Sequence, residues 1–192
     1  MNRLTIVLDI DDAFNVMIPC LTTQADITED LEEFSDTFTT SKNPALWLDL
    51  IAEETFEFME ELHNNGVTPN LIKEYSDILY VIEGFMQVTL NRSTVVMGDG
   101  TTKNAIDTRI EQICDRLHDI AYIAHIFFTI DDIAEAFSLV HASNMSKLTA
   151  DGKVLRREDG KVLKSELYVP ADMEDVVDPD WLDGELYFAG KD

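Results

Sequence analysis

The sequence predicts an all-α protein: a bundle of four to five helices with a short C-terminal hairpin or turn-rich basic block and irregular arms at both termini. Three observations predict this class. Apolar residues recur at helical spacing along successive long segments. The breaks between these segments carry Asn, Gly, Thr and Pro. No alternating strand–helix pattern is present that would build a parallel sheet.

Length and composition indicate one globular domain. A chain of 192 residues with 45% hydrophobic residues is long enough to bury a substantial core. We divide it into an N-terminal arm and helix (1–43), a helical core (44–148), and a basic turn block with an acidic tail (149–192). The net charge of −24 argues against direct binding to nucleic acid or to an anionic membrane.

The cysteines and the apolar runs bear on compartment. Cys20 and Cys114 form no metal or redox spacing, which favours a reducing cytoplasm. The apolar run from Leu4 to Leu8 is too short for a signal peptide, and the run from Ile120 to Ile130 is too short to span a bilayer. We therefore expect a cytoplasmic protein without a membrane partner.

The N-terminal elements are predicted from apolar spacing and from residues that favour helix ends. Residues 4–10 suit a short strand or an extended arm, and an amphipathic helix is predicted over Ile27–Phe38. Pro44 opens the next helix, because the missing N–H of proline costs nothing in a first turn. Asn65-Gly66 ends that helix.

The second core helix begins a few residues later. Thr68 is the expected N-cap and Pro69 the first-turn proline, and the apolar pattern continues to about Leu90. Such a short connection makes the two helices antiparallel neighbours, so we predict a helical hairpin.

Two further helices complete the predicted core. After a loop at 93–102, apolar residues repeat at helical spacing over about 104–128. A fourth helix is capped by Thr129 or Asp131, and we predict His141 on it to be a packing or hydrogen-bonding residue, not a catalyst. Its predicted buried face is Ile133, Phe137 and Val140. The acidic tail carries Trp181, Tyr187 and Phe188, which suggests that it packs on the rest of the protein.

Carboxylates are concentrated at one end of the predicted hairpin. Glu54 and Glu57 share a face near the end of the first helix, and Glu74 and Asp77 share a face near the start of the second. A tight connection brings these four side chains together. Hard oxygen ligands on rigid helices suit Mg²⁺ or Mn²⁺.

The alternative to a metal site is a solvated acidic face, and the two helices differ here. On the first helix an ordinary wet face explains Asp49, Glu53, Glu57 and Glu60 about as well as a metal does. Its apolar side is predicted to be Ala45, Leu48, Ile51, Ala52, Phe56 and Phe58. On the second helix Glu74 falls inside the apolar stripe, where a carboxylate costs several kcal/mol unless it is paired, protonated or metal-bound. We expect Lys73 to point to the wet side, which leaves Glu74 without a cation one turn away.

A basic turn block follows the helices. It holds six of the 14 basic residues of the chain and repeats the motif Asp-Gly-Lys-Val-Leu. Two Asp-Gly turns predict a hairpin or a pair of tight turns. Cations beside a metal site suit a polyphosphate, whereas the alternative is a loop that offsets the acidic helices through surface pairs. The six residues are Lys147, Lys153, Arg156, Arg157, Lys161 and Lys164.

These motifs resemble a known family. The segments Glu53-Glu54-Thr55-Phe56-Glu57 and Glu74-Tyr75-Ser76-Asp77 resemble the EExxE…ExxD signature of the all-α nucleoside triphosphate pyrophosphohydrolases, which include MazG, the dimeric dUTPases and phosphoribosyl-ATP pyrophosphohydrolase. The segments 140–148, 151–153 and 157–164 are similar to the C-terminal block of the MazG-like and phosphoribosyl-ATP pyrophosphohydrolase-like branch. The resemblance covers about 47–85 and 125–164.

The resemblance implies a function. Glu54, Glu57, Glu74 and Asp77 would bind Mg²⁺ (or Mn²⁺), Glu53 would orient water as the fifth catalytic carboxylate, and Asn144 and Lys147 would contact the nucleotide. We expect metal-assisted attack of water on a nucleoside triphosphate, giving the monophosphate and pyrophosphate. The other five cations of the block would bind the rest of the substrate.

The assembly and the competing interpretations stay open. We expect a homodimer or homotetramer that completes the bundle. The alternative function is a non-enzymatic acidic protein that mimics DNA or blocks a nucleic-acid-binding partner, although such a mimic gains nothing from a basic block. Within the fold, a dUTPase- or dCTPase-type specificity is the other alternative.

Overall fold

The computed structural model describes residues 13–90 and 106–177, and within them the protein is all-α. After a short helical segment at 13–17, the helices are α1 (Leu21–Phe38), α2 (Pro44–Asn65), α3 (Pro69–Leu90), α4 (Ile106–Phe127) and α5 (Ile130–Met145). The predicted fold class is confirmed. The predicted arm at 4–10, the loop at 93–102 and the tail aromatics at 181–188 lie outside the described residues.

Helix α3 is the centre of the bundle. It packs most extensively on α2, then on α5 and α1, and to a lesser extent on α4. Its buried residues surround the helix axis, as a helix surrounded by neighbours requires; they include Leu71, Ile72, Tyr75, Ile78, Leu79, Ile82 and Phe85. Each such side chain stabilises the fold by about 1.5–3 kcal/mol through burial.

Local capping explains where the helices begin and end. The Asn43 side chain accepts a hydrogen bond from the Ala45 N–H at the start of α2, and Gly66 ends α2 with a positive φ of 76°. The Thr68 hydroxyl accepts from the Leu71 N–H at 3.2 Å. These contacts confirm the predicted hairpin between α2 and α3, since only three residues separate the helices.

The other predicted cap is resolved in favour of Thr129. Its hydroxyl accepts from the Asp132 N–H at 3.2 Å, and the Asp132 carboxylate accepts from the Thr129 N–H at 2.7 Å. This reciprocal capping box fixes the start of α5. The predicted buried face of α5 is confirmed, because Ile133, Phe137 and Val140 are buried.

The apolar face of α2 is wider than predicted on one side and narrower on the other. Leu46, Trp47 and Leu50 are buried with Ile51 and Phe58. The prediction that Phe56 belongs to this face is wrong, because its side chain is 61% exposed. Helix α3 packs on α2, and Leu46, Trp47 and Leu50 share a cavity wall with Gly160 and Lys161 of the C-terminal block. A helical wheel alone does not show which edge of α2 these elements cover.

The chain after α5 forms two tight turns and a packed segment. Gly152 and Gly160 take positive φ values of 73° and 99°, and a single antiparallel bridge joins Arg156 to Val162. The Arg156 guanidinium donates to the Phe38 and Thr39 carbonyls, so the block caps the C-terminal end of α1. Farther on, the core is joined by Met173, Val176 and Val177. Across the described helices, none is long and apolar enough to cross a bilayer.

Candidate metal and phosphate site

Three predicted carboxylate ligands meet at one end of the hairpin. One carboxylate oxygen from each of Glu54, Glu57 and Glu74 lies within 4.8 Å of the other two. Opposite ligands of a Mg²⁺ octahedron are about 4 Å apart, so a small closure of the side chains suits a hard divalent cation. The structure therefore contains a carboxylate cluster that could hold a metal ion.

Glu74 is the buried member of the cluster. The residue is only 6% exposed. Its Oε1 atom accepts hydrogen bonds from Asn70 at 3.1 Å and from Lys73 at 2.9 Å. Its Oε2 atom is buried and has no hydrogen-bond partner. A buried oxygen of this kind normally has a partner, and a divalent cation bound by these residues would supply one.

Burial and mutual repulsion disfavour the charged forms of these acids. Burial raises the pKa of Glu54 to about 8, and the negative charges of Asp77 and Glu57 add to this effect. Burial also raises the pKa of Glu74, against the lowering effect of Lys73. A divalent cation would reverse this situation, because it favours the ionised carboxylates.

The prediction that Lys73 points to the wet side is wrong. Its ammonium lies 2.9 Å from Glu74 Oε1 and 2.8 Å from Asp77 Oδ2. Burial alone would lower the pKa of Lys73, but Asp77 and Glu74 outweigh burial and raise it. A helical wheel places the Lys73 Cα correctly on the outer side, whereas the long flexible stem carries the charge back to the acids.

The two remaining predicted acids lie beside the cluster, each paired with a lysine. Asp77 faces the same cavity as Glu54, but Lys73 holds its Oδ2 atom. Glu53 Oε1 accepts a hydrogen bond from Lys161 at 2.8 Å. The role of Asp77 as a fourth ligand and that of Glu53 in orienting water stay predictions.

The cluster opens into an acidic cavity whose far wall is basic. We use this name for the space lined by Glu53, Glu54, Glu57, Lys73, Asp77, Asn144, Lys147, Lys161, Lys164 and Tyr168, with neighbouring apolar residues. The Lys164 ammonium lies 4.5 Å from the centre of the Tyr168 ring, in a cation–π contact. The turn block therefore brings its lysines against the acids of the helical hairpin.

Lys147 and Asn144 occupy the junction of this wall with the core. The Lys147 ammonium donates to Asn144 Oδ1. Burial lowers the pKa of Lys147 to about 8, although the charges of Asp77 and Glu54 oppose the shift. Of the predicted substrate-binding residues, Asn144, Lys147, Lys161 and Lys164 line the acidic cavity.

The other three predicted substrate-binding residues are directed elsewhere. Lys153 pairs with Asp151 and keeps 77% of its side chain exposed. Arg157 pairs with Asp159 at 2.6 Å. Arg156 donates to the end of α1. Sequence spacing could not separate these residues from Lys161 and Lys164, because a turn sends neighbouring side chains in opposite directions.

A second cavity adjoins the first and has three aromatic residues in its wall. We call it the aromatic cavity; it shares Glu54, Asp77, Asn144, Lys147, Lys161 and Val162 with the acidic cavity, and its own walls include Phe34, Thr40, Ser41, Leu46, Trp47, Leu50, Tyr80 and Gly160. Trp47 and Tyr80 are not among the site residues predicted from the sequence. A signal was present in the helical spacing, since Trp47 lies about two turns before Glu54 on α2 and Tyr80 lies one turn after Asp77 on α3.

Gly84 makes room for one wall of the aromatic cavity. A Cβ atom at this position would lie 2.1 Å from the Trp47 ring. The Trp47 indole N–H donates to the Ser41 carbonyl at 3.0 Å, which fixes the orientation of the ring. Close approach of α2 to α3 at this level therefore requires glycine.

Asp115, His118 and Asp119 lie near one another on α4, and sequence spacing alone leaves open whether they bind a metal or form an exposed polar face. Among the described residues they form no group that could hold a metal ion. His118 Nδ1 lies 2.8 Å from the Cys114 carbonyl oxygen, and all three side chains belong to an exposed face.

Comparisons with protein-family models, with curated proteins and with solved structures find no match to this chain.

Proposed function

We propose that this protein is a Mg²⁺-dependent nucleoside triphosphate pyrophosphohydrolase of the MazG-like type, with Mn²⁺ as a substitute metal. The buried, unpartnered Glu74 Oε2 atom within the carboxylate cluster carries the proposal. Lys73 pairs with the Oε1 atom of Glu74, so the cost that remains is the burial of Oε2 without a partner. One oxygen each from Glu54, Glu57 and Glu74 supplies the start of a coordination shell. The resemblance to the EExxE…ExxD signature agrees with these contacts.

The basic wall of the acidic cavity supports a polyphosphate substrate. Lys147, Lys161 and Lys164 line the same space as Glu54 and Glu57. A bound triphosphate would lie between the metal ion and the lysines, so its negative charges would be neutralised from both sides. A protein with a net charge of −24 repels free anions, so we expect substrate binding itself to require the metal.

The aromatic cavity supports a nucleoside as the rest of the substrate. Trp47, Tyr80 and Phe34 line this cavity beside Glu54 and Lys147. A nucleobase can stack on such rings while its triphosphate extends into the acidic cavity. The Ser41 and Thr40 side chains at the cavity wall offer polar contacts that would distinguish one base from another, including uracil or cytosine in a dUTPase- or dCTPase-type enzyme.

The proposed reaction divides the work among the residues. Glu54, Glu57, Glu74 and Asp77 would hold Mg²⁺, which supplies Lewis-acid polarisation and a lowered pKa of bound water. Glu53 would orient the attacking water beside the cluster. Asn144, Lys147, Lys161 and Lys164 would neutralise the charge that develops on the departing pyrophosphate.

The assembly and the compartment belong to the same proposal. We propose a homodimer or homotetramer in the cytoplasm, with no membrane and no nucleic acid as partner. Phe56 and Met59 on α2 are 61% and 41% exposed, and Tyr122 on α4 is 73% exposed. Exposed apolar residues on helices that contact each other suit a subunit contact. Light scattering during size-exclusion chromatography measures the mass.

Pyrophosphate release tests the proposed function. A panel of ribo- and deoxyribonucleoside triphosphates is incubated with the protein in Mg²⁺, in Mn²⁺ or in EDTA. We expect pyrophosphate and the monophosphate from at least one nucleotide, with metal only. Glu74→Gln should abolish release, whereas Glu60→Gln, an exposed acid on α2, should not.

Two outcomes count against the enzyme. Absence of release from the whole panel would contradict it, and co-purification with a DNA-binding protein in that case would support the DNA-mimic alternative. Full activity in Glu74→Gln would remove Glu74 from the site. Inorganic phosphate in place of pyrophosphate would mean that the γ-phosphoryl group is attacked instead of the α-phosphorus.

A further inference from the structure

Lys73 bridges two of the predicted metal ligands on its own helix. Its ammonium lies 2.9 Å from Glu74 Oε1 and 2.8 Å from Asp77 Oδ2. Lys73 and Asp77 are one turn apart on α3, which is the spacing at which helical side chains meet. The lysine side chain is 25% exposed and belongs to the wall of the acidic cavity. One cation therefore holds an oxygen from each of these two acids.

The bridge satisfies only part of the acidic group. Glu74 Oε1 accepts from Lys73 and from Asn70, whereas Glu74 Oε2 is buried without a partner. Oxygens of Glu54, Glu57 and Glu74 lie together, but Asp77, whose Oδ2 atom accepts from Lys73, is not a member of that cluster. The lysine thus occupies one side of a group of acids that still has unused oxygen ligands.

An ammonium and a divalent cation cannot both occupy this position. A Mg²⁺ ion bound by Glu74 and Asp77 would lie about 2 Å from their oxygens, which is closer than the ammonium lies. Positive charges a few ångströms apart in a partly buried site repel each other strongly. The lysine must therefore leave the two acids when all four carboxylates bind a metal, and its long flexible stem allows this movement.

We propose that Lys73 is a place-holder cation, which bridges Glu74 and Asp77 in the metal-free protein and is displaced by the divalent ion. This inference rests on the proposed function for the metal site but not on hydrolysis. It has two consequences. Lys73 stabilises the metal-free protein by pairing buried acids, and it weakens metal binding, because its contacts must first be broken. Lys73 therefore sets the metal affinity of the site.

Mn²⁺ binding without nucleotide tests the competition. The dissociation constant is measured by electron paramagnetic resonance of the free ion, and binding at this site is identified by its loss in Glu74→Gln. Lys73→Met keeps an unbranched stem without charge. We expect it to bind Mn²⁺ about 10-fold more tightly, which corresponds to one charge-assisted hydrogen bond that no longer has to be broken. Lys73→Arg keeps the charge and should bind Mn²⁺ no more tightly than the wild type.

Lys164→Met is the matched control for a general effect of charge. Lys164 lines the same acidic cavity, but its ammonium lies over the Tyr168 ring. The substitution removes the same charge from the same cavity, and at physiological salt it should change the dissociation constant of Mn²⁺ by less than about twofold. Equal tightening in Lys164→Met and Lys73→Met would overturn the specific role of Lys73.

NMR of the lysine side chains follows the displacement itself. In protein with ¹³C-labelled lysine, the ε-CH₂ signal of Lys73 is identified by its absence from Lys73→Arg. We expect slow motion of this group in EDTA, because two acids hold the ammonium. Saturation with diamagnetic Mg²⁺ should make it as mobile as the ε-CH₂ group of exposed Lys153. A Lys73 signal that is equally immobile in Mg²⁺ and in EDTA would overturn the displacement.

Thermal unfolding tests the stabilising consequence. In EDTA, Lys73→Met should melt at a lower temperature than the wild type or fail to fold, because Glu74 and Asp77 lose their cation. Saturating Mg²⁺ should remove most of this difference, since the ion replaces the lysine. An equal melting temperature of the two proteins in EDTA would contradict the place-holder role.

The outcomes separate this inference from the proposed function. Tighter Mn²⁺ binding by Lys73→Met and displacement of Lys73, with no pyrophosphate release from any nucleotide, would contradict the enzyme and keep the place-holder role. An unchanged dissociation constant in Lys73→Met, with normal pyrophosphate release by the wild type, would overturn the place-holder role and keep the enzyme. Absence of Mn²⁺ binding by both proteins would overturn the metal site and the inference together.

Discussion

Replacing Glu54 with Gln tests how much the carboxylate cluster costs the metal-free fold. Glu54 sits beside Asp77 and Glu57, and burial with these charges raises its pKa from 4.5 to about 8. Gln has nearly the same shape but does not ionise. The substitution therefore removes one ionisable group from the cluster and leaves the packing of α2 on α3 in place.

The sign and size follow from proton linkage. Between pH 4.5 and about 8 the folded protein keeps a proton on Glu54 that the unfolded chain releases, so the free energy of unfolding falls as pH rises through this window. The slope from this group approaches about 1.4 kcal/mol per pH unit, and the full effect has an upper limit of about 5 kcal/mol. Relaxation and solvent screening reduce it to about 2–4 kcal/mol.

Urea unfolding in EDTA at pH 6 and at pH 9 measures this effect. We expect wild-type protein to lose stability between the two values, and Glu54→Gln to lose less. The slope that remains in the variant comes partly from Glu74, whose pKa burial also raises. Glu60→Gln, with an exposed acid on the same helix, is the matched control and should follow the wild type.

Addition of Mg²⁺ completes the design. At about 100 times its dissociation constant, a metal that binds only the folded state stabilises it by about 2.7 kcal/mol. We expect this gain at pH 9 for the wild type and for Glu60→Gln but little of it for Glu54→Gln. Equal pH slopes and equal Mg²⁺ gains in all three proteins would refute the account of Glu54.

Three further predictions concern Gly84, Arg156 and Lys161. Gly84→Ala should lower the free energy of unfolding by about 1–3 kcal/mol and alter tryptophan fluorescence, because its Cβ would lie 2.1 Å from the Trp47 ring. If this clash is the cause, adding Trp47→Leu to the same chain should restore part of the lost stability. No recovery in the double variant would contradict this explanation. Arg156→Ala should lower the free energy of unfolding by about 1–2 kcal/mol in chemical denaturation, because its hydrogen bonds to the end of α1 are lost. Arg157→Ala removes only an exposed local ion pair and should change this free energy by less than about 0.5 kcal/mol. Equal losses in the two variants would contradict the capping role of Arg156. Lys161→Gln should raise KM for the nucleotide and leave pyrophosphate as the product, because it removes a cation from the acidic cavity and leaves Glu53 without this lysine. An unchanged KM at low salt would show that Lys161 does not contact the substrate.

Much of the fold could be predicted from the sequence because its signals are local. Pro44, Gly66, Thr68 and Thr129 mark helix ends through backbone geometry and capping that a few neighbouring residues decide. The position of Glu74 inside an apolar stripe was equally readable, since helical spacing alone places it there. Its burial in the structure confirms that part of the prediction.

The parts that the sequence did not predict depend on side chains that cross between elements. Lys73 bends back to Asp77 and Glu74, and a wheel of Cα positions contains no such freedom. The exposure of Phe56 depends on how α2 is rotated against α3. The aromatic cavity needs Trp47 and Tyr80 from different helices, brought together by close packing at Gly84.

The basic block shows the same limit. Six cations in a short segment predicted a phosphate-binding surface, but only Lys147, Lys161 and Lys164 line the acidic cavity. Arg156 instead caps α1, and Lys153 and Arg157 form local pairs. Charge composition indicates that a segment is basic, whereas the turn geometry decides which charges face the acids.

The central claim is that a divalent cation belongs against the buried oxygen of Glu74. Crystals soaked in Mn²⁺ and measured for anomalous scattering test it most directly. The account predicts an anomalous peak within coordination distance of Glu54, Glu57 and Glu74, with the Lys73 ammonium moved away from Glu74. A map without a peak at these carboxylates, in which Lys73 still bridges Glu74 and Asp77, would contradict it.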